Sequence, residues 1–131
     1  MRRNFNLPEQ DVEFLELSGY QWEAIQEGNR KWLIIYNFPV PEGYHINSVN
    51  IGLDITPGYP VAQIDMVYFD QPVQLKNNRQ IRATAYQPIL GKNWVRWSRH
   101  RTGENPWRPG LDDVCTHLQL VTYWMERELT M

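Results

Sequence analysis

Apolar and polar positions alternate through the first half of the chain and step by threes and fours at its end. Leu7 to Leu17 is expected to form a short helix. Pro8 suits its first turn, Glu9, Asp11 and Glu13 sit near its positive end, and Gly19 lies just past its last turn. Val12, Phe14 and Leu15 give it a weak apolar stripe. Tyr20, Trp22, Ala24 and Gln26 then alternate with polar neighbours. Glu27-Gly28-Asn29-Arg30 has tight-turn composition, and Lys31 to Phe38 is apolar and aromatic until Pro39 and Pro41 stop it. Together these predict a hairpin. Val49, Ile51, Leu53 and Ile55 alternate with Asn50, Gly52 and Asp54, a third strand with one buried face. Ile64, Met66 and Tyr68 alternate with Asp65, Val67 and Phe69 and predict a fourth. Short links between the four favour an antiparallel meander.

Residues 70–110 show no sustained period. Pro72, Pro88, Gly91, Gly103, Pro106, Pro109 and Gly110 interrupt any long element. About forty irregular residues far exceed an ordinary connection, so a functional segment is expected there. Leu111, Val114, Cys115, Leu118, Thr122, Met125 and Leu129 then mark one face of a final helix. Asp112 and Asp113 favour its N-terminal end, and Arg127 sits in its last turns. The expected class is α+β: a short N-terminal helix, a four-strand antiparallel meander, a long irregular segment, and a C-terminal helix on the sheet.

Composition narrows the classes. A length of 131 residues predicts one domain, 1–131. Thirteen basic and fifteen acidic residues give a net charge of −2, so no bulk positive field attracts nucleic acid or a membrane. An apolar share of 42% excludes a disordered tail. No apolar run approaches the roughly twenty residues of a membrane span. Met1 to Phe5 carries charge with no apolar stretch behind it, so no signal peptide is expected. The single cysteine, Cys115, makes neither an internal disulfide nor a cysteine-based zinc site. A soluble, cytoplasmic protein without a metal is expected. Six Trp and seven Tyr fit either an interaction surface or a small core filled with large rings.

Ordered motifs go further. Pro57-Gly58-Tyr59-Pro60 lies between strands three and four, and Trp107-Arg108-Pro109 precedes the last helix. Between them runs Trp94-Val95-Arg96-Trp97-Ser98-Arg99-His100. In this order, over roughly residues 8–129, the chain resembles the ubiquitin-conjugating-enzyme superfamily. More closely, it resembles the bacterial ubiquitin-conjugating-enzyme-like family E. The resemblance implies that fold, and a transferase that carries the C-terminus of a ubiquitin-like modifier and passes it to a target amine.

In the superfamily a catalytic cysteine lies about eight residues before the tryptophan of Trp-x-Pro. Here that place holds Ser98 and Arg99, and Cys115 falls on the wrong side of Trp107. Cys115 on the helix stripe reads as an inert packed thiol. Serine gives almost no alkoxide at neutral pH, so it needs a general base during attack. His100 lies two residues on, and in an extended stretch residues i and i+2 project to the same side. The expected machinery is Ser98 as acyl acceptor through an oxyester, His100 as base, and Asn93 or backbone N–H groups for the oxyanion. The superfamily's His-Pro-Asn motif is missing. A fold that kept binding and lost chemistry is therefore the second reading.

Lys92, Arg96, Arg99, Arg101 and Arg108 interleave with Trp94, Trp97 and Trp107. This cluster reads as a solvated loop with stacked arginines, as a groove for the modifier tail, or as a nucleic-acid platform. The acidic net charge argues against the last. His45 falls in a loop, and His117 beside the helix stripe reads as a packed or surface residue. Three dispersed histidines predict no metal site. Asp54, Asp65, Asp70, Asp112 and Asp113 show no spacing that singles one out. No cofactor is expected, since ATP is used by the partner that activates the modifier. The resemblance implies three companions, namely a ubiquitin-like modifier, an adenylating activating enzyme and a metalloprotease-type deconjugating enzyme, and a place in bacterial antiphage defence.

Overall fold

A computed structural model describes all 131 residues. Helix α1 spans Glu9–Leu17, with Pro8 before it and Glu9 and Asp11 in its first turn. Strand β1 (Trp22–Glu27) and strand β2 (Arg30–Pro39) form the expected hairpin, with Glu27 opposite Arg30. Strand β3 is Ser48–Asp54 and strand β4 is Val67–Phe69. β4 is shorter than its alternation suggested, because Met66 has a φ of 58° and breaks the extended backbone.

The segment expected to be irregular contains a second hairpin, β5 (Thr84–Ile89) and β6 (Lys92–Trp97). The sheet therefore has six strands, in the order β1-β2-β3-β4-β6-β5, with every neighbouring pair antiparallel. β5 hid from the hydrophobic pattern because it is an edge strand: residues 84–86 and Pro88 are all exposed. Its turn was readable only as backbone geometry. Leu90 (φ 53°) and Gly91 (φ 76°) take the two left-handed positions that a two-residue hairpin loop requires.

Helix α2 spans Val114–Glu128. Asp113 and Thr116 close a reciprocal capping box at its start. Its buried face is Val114, His117, Leu118, Val121, Trp124, Met125 and Glu128, which replaces part of the expected stripe. Leu111 is an exposed turn residue, and Cys115 is half-buried. Both helices pack on one face of the sheet around Leu33, Ile35, Ile51, Leu53, Phe69 and Trp97. A smaller core of Ile25, Trp32, Ile34, Tyr68, Ile89 and Trp94 fills the other face. The sheet curls over that second core, since Glu27 at the end of β1 accepts a hydrogen bond from Leu90 N–H in the β5–β6 turn (3.0 Å). No helix is long and apolar enough to cross a membrane.

Candidate active site

The motifs separated in sequence meet at one corner. Trp107 Nε1–H donates to the Pro60 carbonyl (3.1 Å), and the Tyr59 and Trp107 rings lie 6.1 Å apart. The Tyr59 hydroxyl donates to one Asp11 carboxylate oxygen, and the other accepts from Val114 N–H at the start of α2 (3.1 Å). Asp11 thus ties α1, the Tyr-Pro turn and α2 together. Its burial pushes the carboxyl pKa up against the pull of those hydrogen bonds. Pro57 and Pro109 are exposed turn residues flanking this contact.

Under the corner lies a second network. The Arg101 side chain is 5% exposed, with Asp112 at 3.8 Å, His117 Nδ1 at 3.2 Å and the Trp107 ring centre at 4.9 Å. His117 donates from Nε2 to the Met66 carbonyl (2.9 Å). Burial, above all, lowers its pKa to about 4, so it is neutral at pH 7. Asp112 also accepts from Arg108 N–H (2.7 Å) and Nε (3.3 Å). Burial pulls the Asp112 carboxyl up, but the Arg108 hydrogen bonds outweigh it and hold the carboxyl below its ordinary value.

Ser98 follows β6 directly, where the chain bends. Arg99 N–H bonds back to the Trp97 carbonyl (3.0 Å), closing a three-residue turn around Ser98. Ser98 N–H donates to Ala83 (2.9 Å), and the Arg99 carbonyl accepts from Met66 N–H (3.1 Å). The turn is therefore held from both sides. Ser98 is half-buried, and the His100 side chain is 64% exposed. The Ser98 hydroxyl is not hydrogen-bonded to His100. His100 Nδ1 instead faces Asp65 Oδ2 at 2.8 Å, and the other Asp65 oxygen is buried without a partner. That contact assigns the Nδ1–H tautomer and leaves Nε2 as the basic nitrogen.

Asp65 is the site residue that the sequence did not single out. It lies thirty-five positions from His100. The signal was strand pairing: Val67 stands opposite Trp97, so the antiparallel register carries Asp65 to the Ser98–His100 bend.

Other expectations are corrected. Asn93 stands at the opposite end of β6, about 16 Å away at one strand rise per residue, and cannot reach an oxyanion at Ser98. The Ser98 and Arg99 N–H groups are already bonded. Trp94 and Trp97 are buried on opposite faces of the sheet, which removes them from any partner surface. Arg99 is bound to Glu128 (2.9 Å), which Arg79 also grips (2.7 Å). Arg96 stands opposite Tyr68 on the side of the sheet that holds Trp94. Burial, with Asp113 and Asp11 nearby, raises the Cys115 pKa and keeps it a thiol. No group of three or more His, Cys, Asp or Glu converges to hold a metal.

An antiparallel sheet covered by an N-terminal and a C-terminal helix, with a Tyr-Pro turn docked on Trp-x-Pro, defines a conjugating-enzyme-like fold. The chain belongs to the prokaryotic E2 family E, whose model matches residues 7–128. No curated protein and no solved structure matches it. Membership gives the chain a conjugating-enzyme-like role.

Proposed function

We propose that the protein carries the C-terminal acyl group of a ubiquitin-like modifier as an oxyester on Ser98 and passes it to a target amine. The observation that carries this reading is the Asp65–His100 pair, set two residues from a half-exposed serine in a doubly anchored bend. A partner activating enzyme uses ATP to activate the modifier's carboxyl. Ser98 Oγ attacks the acyl carbon, and its proton passes to His100 Nε2. The new C–O bond forms as the bond to the activating group breaks, and that group takes the proton as it leaves. An amine then attacks the ester, forming an amide and returning a proton to Ser98 Oγ. Asp65 holds the ring and stabilises the transient imidazolium. A metalloprotease-type enzyme that reverses the linkage, and a setting in bacterial defence, complete the reading.

One observation favours a docking module without chemistry: the Ser98 hydroxyl has no hydrogen bond to His100, and its neighbouring N–H groups are occupied. Intact-mass analysis after incubation with modifier, activating enzyme and ATP separates the two. A hydroxylamine-labile one-to-one adduct is expected, lost in Ser98→Ala and kept in Cys115→Ala. No adduct means docking alone. An adduct that survives Ser98→Ala and vanishes in Cys115→Ala overturns the assignment.

A further inference from the structure

The two edges of the sheet are treated differently. β1's outer edge is covered by the chain's own N-terminus: Ala24 N–H donates to the Arg2 carbonyl (2.9 Å), and Asn4 N–H to the Ala24 carbonyl (2.7 Å). β5's outer edge has no strand beside it. The pairing with β6 fixes what that edge presents. Ser98 N–H bonds to Ala83, so residues 83, 85, 87 and 89 face β6 with their backbone groups. Thr84 and Tyr86 therefore point N–H and C=O outward. Pro88 has no N–H and bars pairing at the far end. A bare edge with two free donor–acceptor residues is a template for an added strand.

A cleft of about 530 Å³ runs beside it, lined in part by Val73, Ile81, Thr84, Tyr86 and Val95. We infer that β5 receives the extended C-terminal tail of the acyl-donating protein as an antiparallel seventh strand, which rests on Ser98 as the acyl acceptor. Direction argues for this occupant. β6 ends at Trp97, next to Ser98, at the same end of the sheet at which β5 begins. An antiparallel tail travels from Pro88 toward Thr84 and so delivers its C-terminus to that end. From there, crossing to β6 is two strand spacings, about 10 Å, or about three extended residues. Charge agrees. Arg82, exposed and without an ion pair, lines a second hollow past Thr84, where a terminal carboxylate or its activated form arrives.

The probe is a fluorescein-labelled Thr-Val-Thr-Val-Thr-Gly-Gly peptide with a free carboxylate, read by anisotropy and by amide exchange of the full chain. Exchange at Thr84 and Tyr86 is expected to slow about tenfold or more on binding. N-methylation of peptide residues of one parity costs about tenfold in affinity or more, while the other parity stays within about twofold. Tyr86→Pro abolishes binding, whereas Tyr86→Phe keeps both ring and N–H and binds normally. Arg82→Ala or a C-terminal amide each weakens binding by about threefold to tenfold. The N-methyl series uses the unaltered chain, so it decides even if Tyr86→Pro fails to fold.

No parity dependence overturns the inference. So does protection of Thr84 and Tyr86 that grows with protein concentration alone, which assigns the edge to a second copy. Ser98→Ala is expected to bind the peptide like the parent and fail to form the adduct. If the adduct forms on Ser98 while the peptide ignores β5, the edge inference falls alone. If Ser98→Ala still forms the adduct while parity holds, the acylation reading falls and β5 remains a tail-binding edge.

Discussion

Two adjacent residues, Asp65 and Met66, hold two histidines with opposite fates. His117 is fully buried, donates from Nε2 to the Met66 carbonyl and accepts from Arg101 at Nδ1. Both nitrogens are used, and burial keeps the ring neutral. His100 faces water, with Nδ1 on Asp65 and Nε2 free. The same side chain is a locked strut in one place and keeps an uncommitted nitrogen in the other, and the difference is access to solvent. The arginines divide the same way. Arg101 is covered and paired with Asp112, whereas Arg82 stands open. Chemistry here is to be sought among the residues that the structure leaves uncommitted.

The largest effect should come from the covered side. Asp112→Ala strips the partner from a nearly buried Arg101 charge and from Arg108 N–H. A loss of about 3–5 kcal/mol is expected in urea unfolding, because an uncompensated buried charge is left behind. A loss under about 1 kcal/mol would mean that Arg101 finds water, and that the corner is not closed as described.

Next in size is pH. His117 has an ordinary value of 6.5 and titrates at about 4 in the folded chain. As pH falls, the unfolded chain takes up this proton first. The stability is therefore fully present above about pH 6.5 and is lost progressively down to about 4. At about 1.4 kcal/mol per unit, the loss reaches about 3 kcal/mol. His117→Gln keeps a donor for the Met66 carbonyl and removes the titration. Its profile should lose this fall between about pH 6.5 and 4.5, where the buried Asp11 carboxyl, raised by burial, adds only a change of opposite sign, and where Glu23, held down to about 2 chiefly by its hydrogen bond from Arg2, does not yet contribute. Parallel profiles for variant and parent would show that His117 does not titrate as buried.

The division was only half legible in the sequence. Periodicity found both helices, the first hairpin and β3, because each presents one apolar face. It missed β5 because an exposed edge strand has no apolar period, and Pro88 reads as a breaker until one sees that it faces away from β6. Ser98 and His100 as candidates came from the motif order. Asp65 did not, since a partner thirty-five residues away is set by the β4–β6 pairing, which crosses over the β5 hairpin. The arginine cluster looked like a binding groove because charge counts cannot tell a guanidinium held by Glu128 or Asp112 from a free one. Asn93 is the asparagine nearest Ser98 in sequence, but β6 carries it to the far end of the strand.

The smallest stability effect should be at His100. Its hydrogen bond to Asp65 joins a side chain 64% exposed to one 23% exposed, a setting in which such polar contacts contribute about 0–1 kcal/mol. His100→Ala should therefore shift the urea midpoint by less than about 0.5 kcal/mol of stability. The same change should slow adduct formation by about a hundredfold or more, the usual worth of a positioned base. Asp65→Asn should leave an ordered ring with the wrong proton arrangement and slow loading while leaving modifier binding unchanged. Thermal or urea unfolding and the loading rate are measured on the same samples. If His100→Ala unfolds the chain as readily as Asp112→Ala does, His100 is a second strut, and the contrast between the two histidines collapses. If stability holds and loading holds as well, the base lies elsewhere, and Ser98 must be deprotonated by a group brought by the partner.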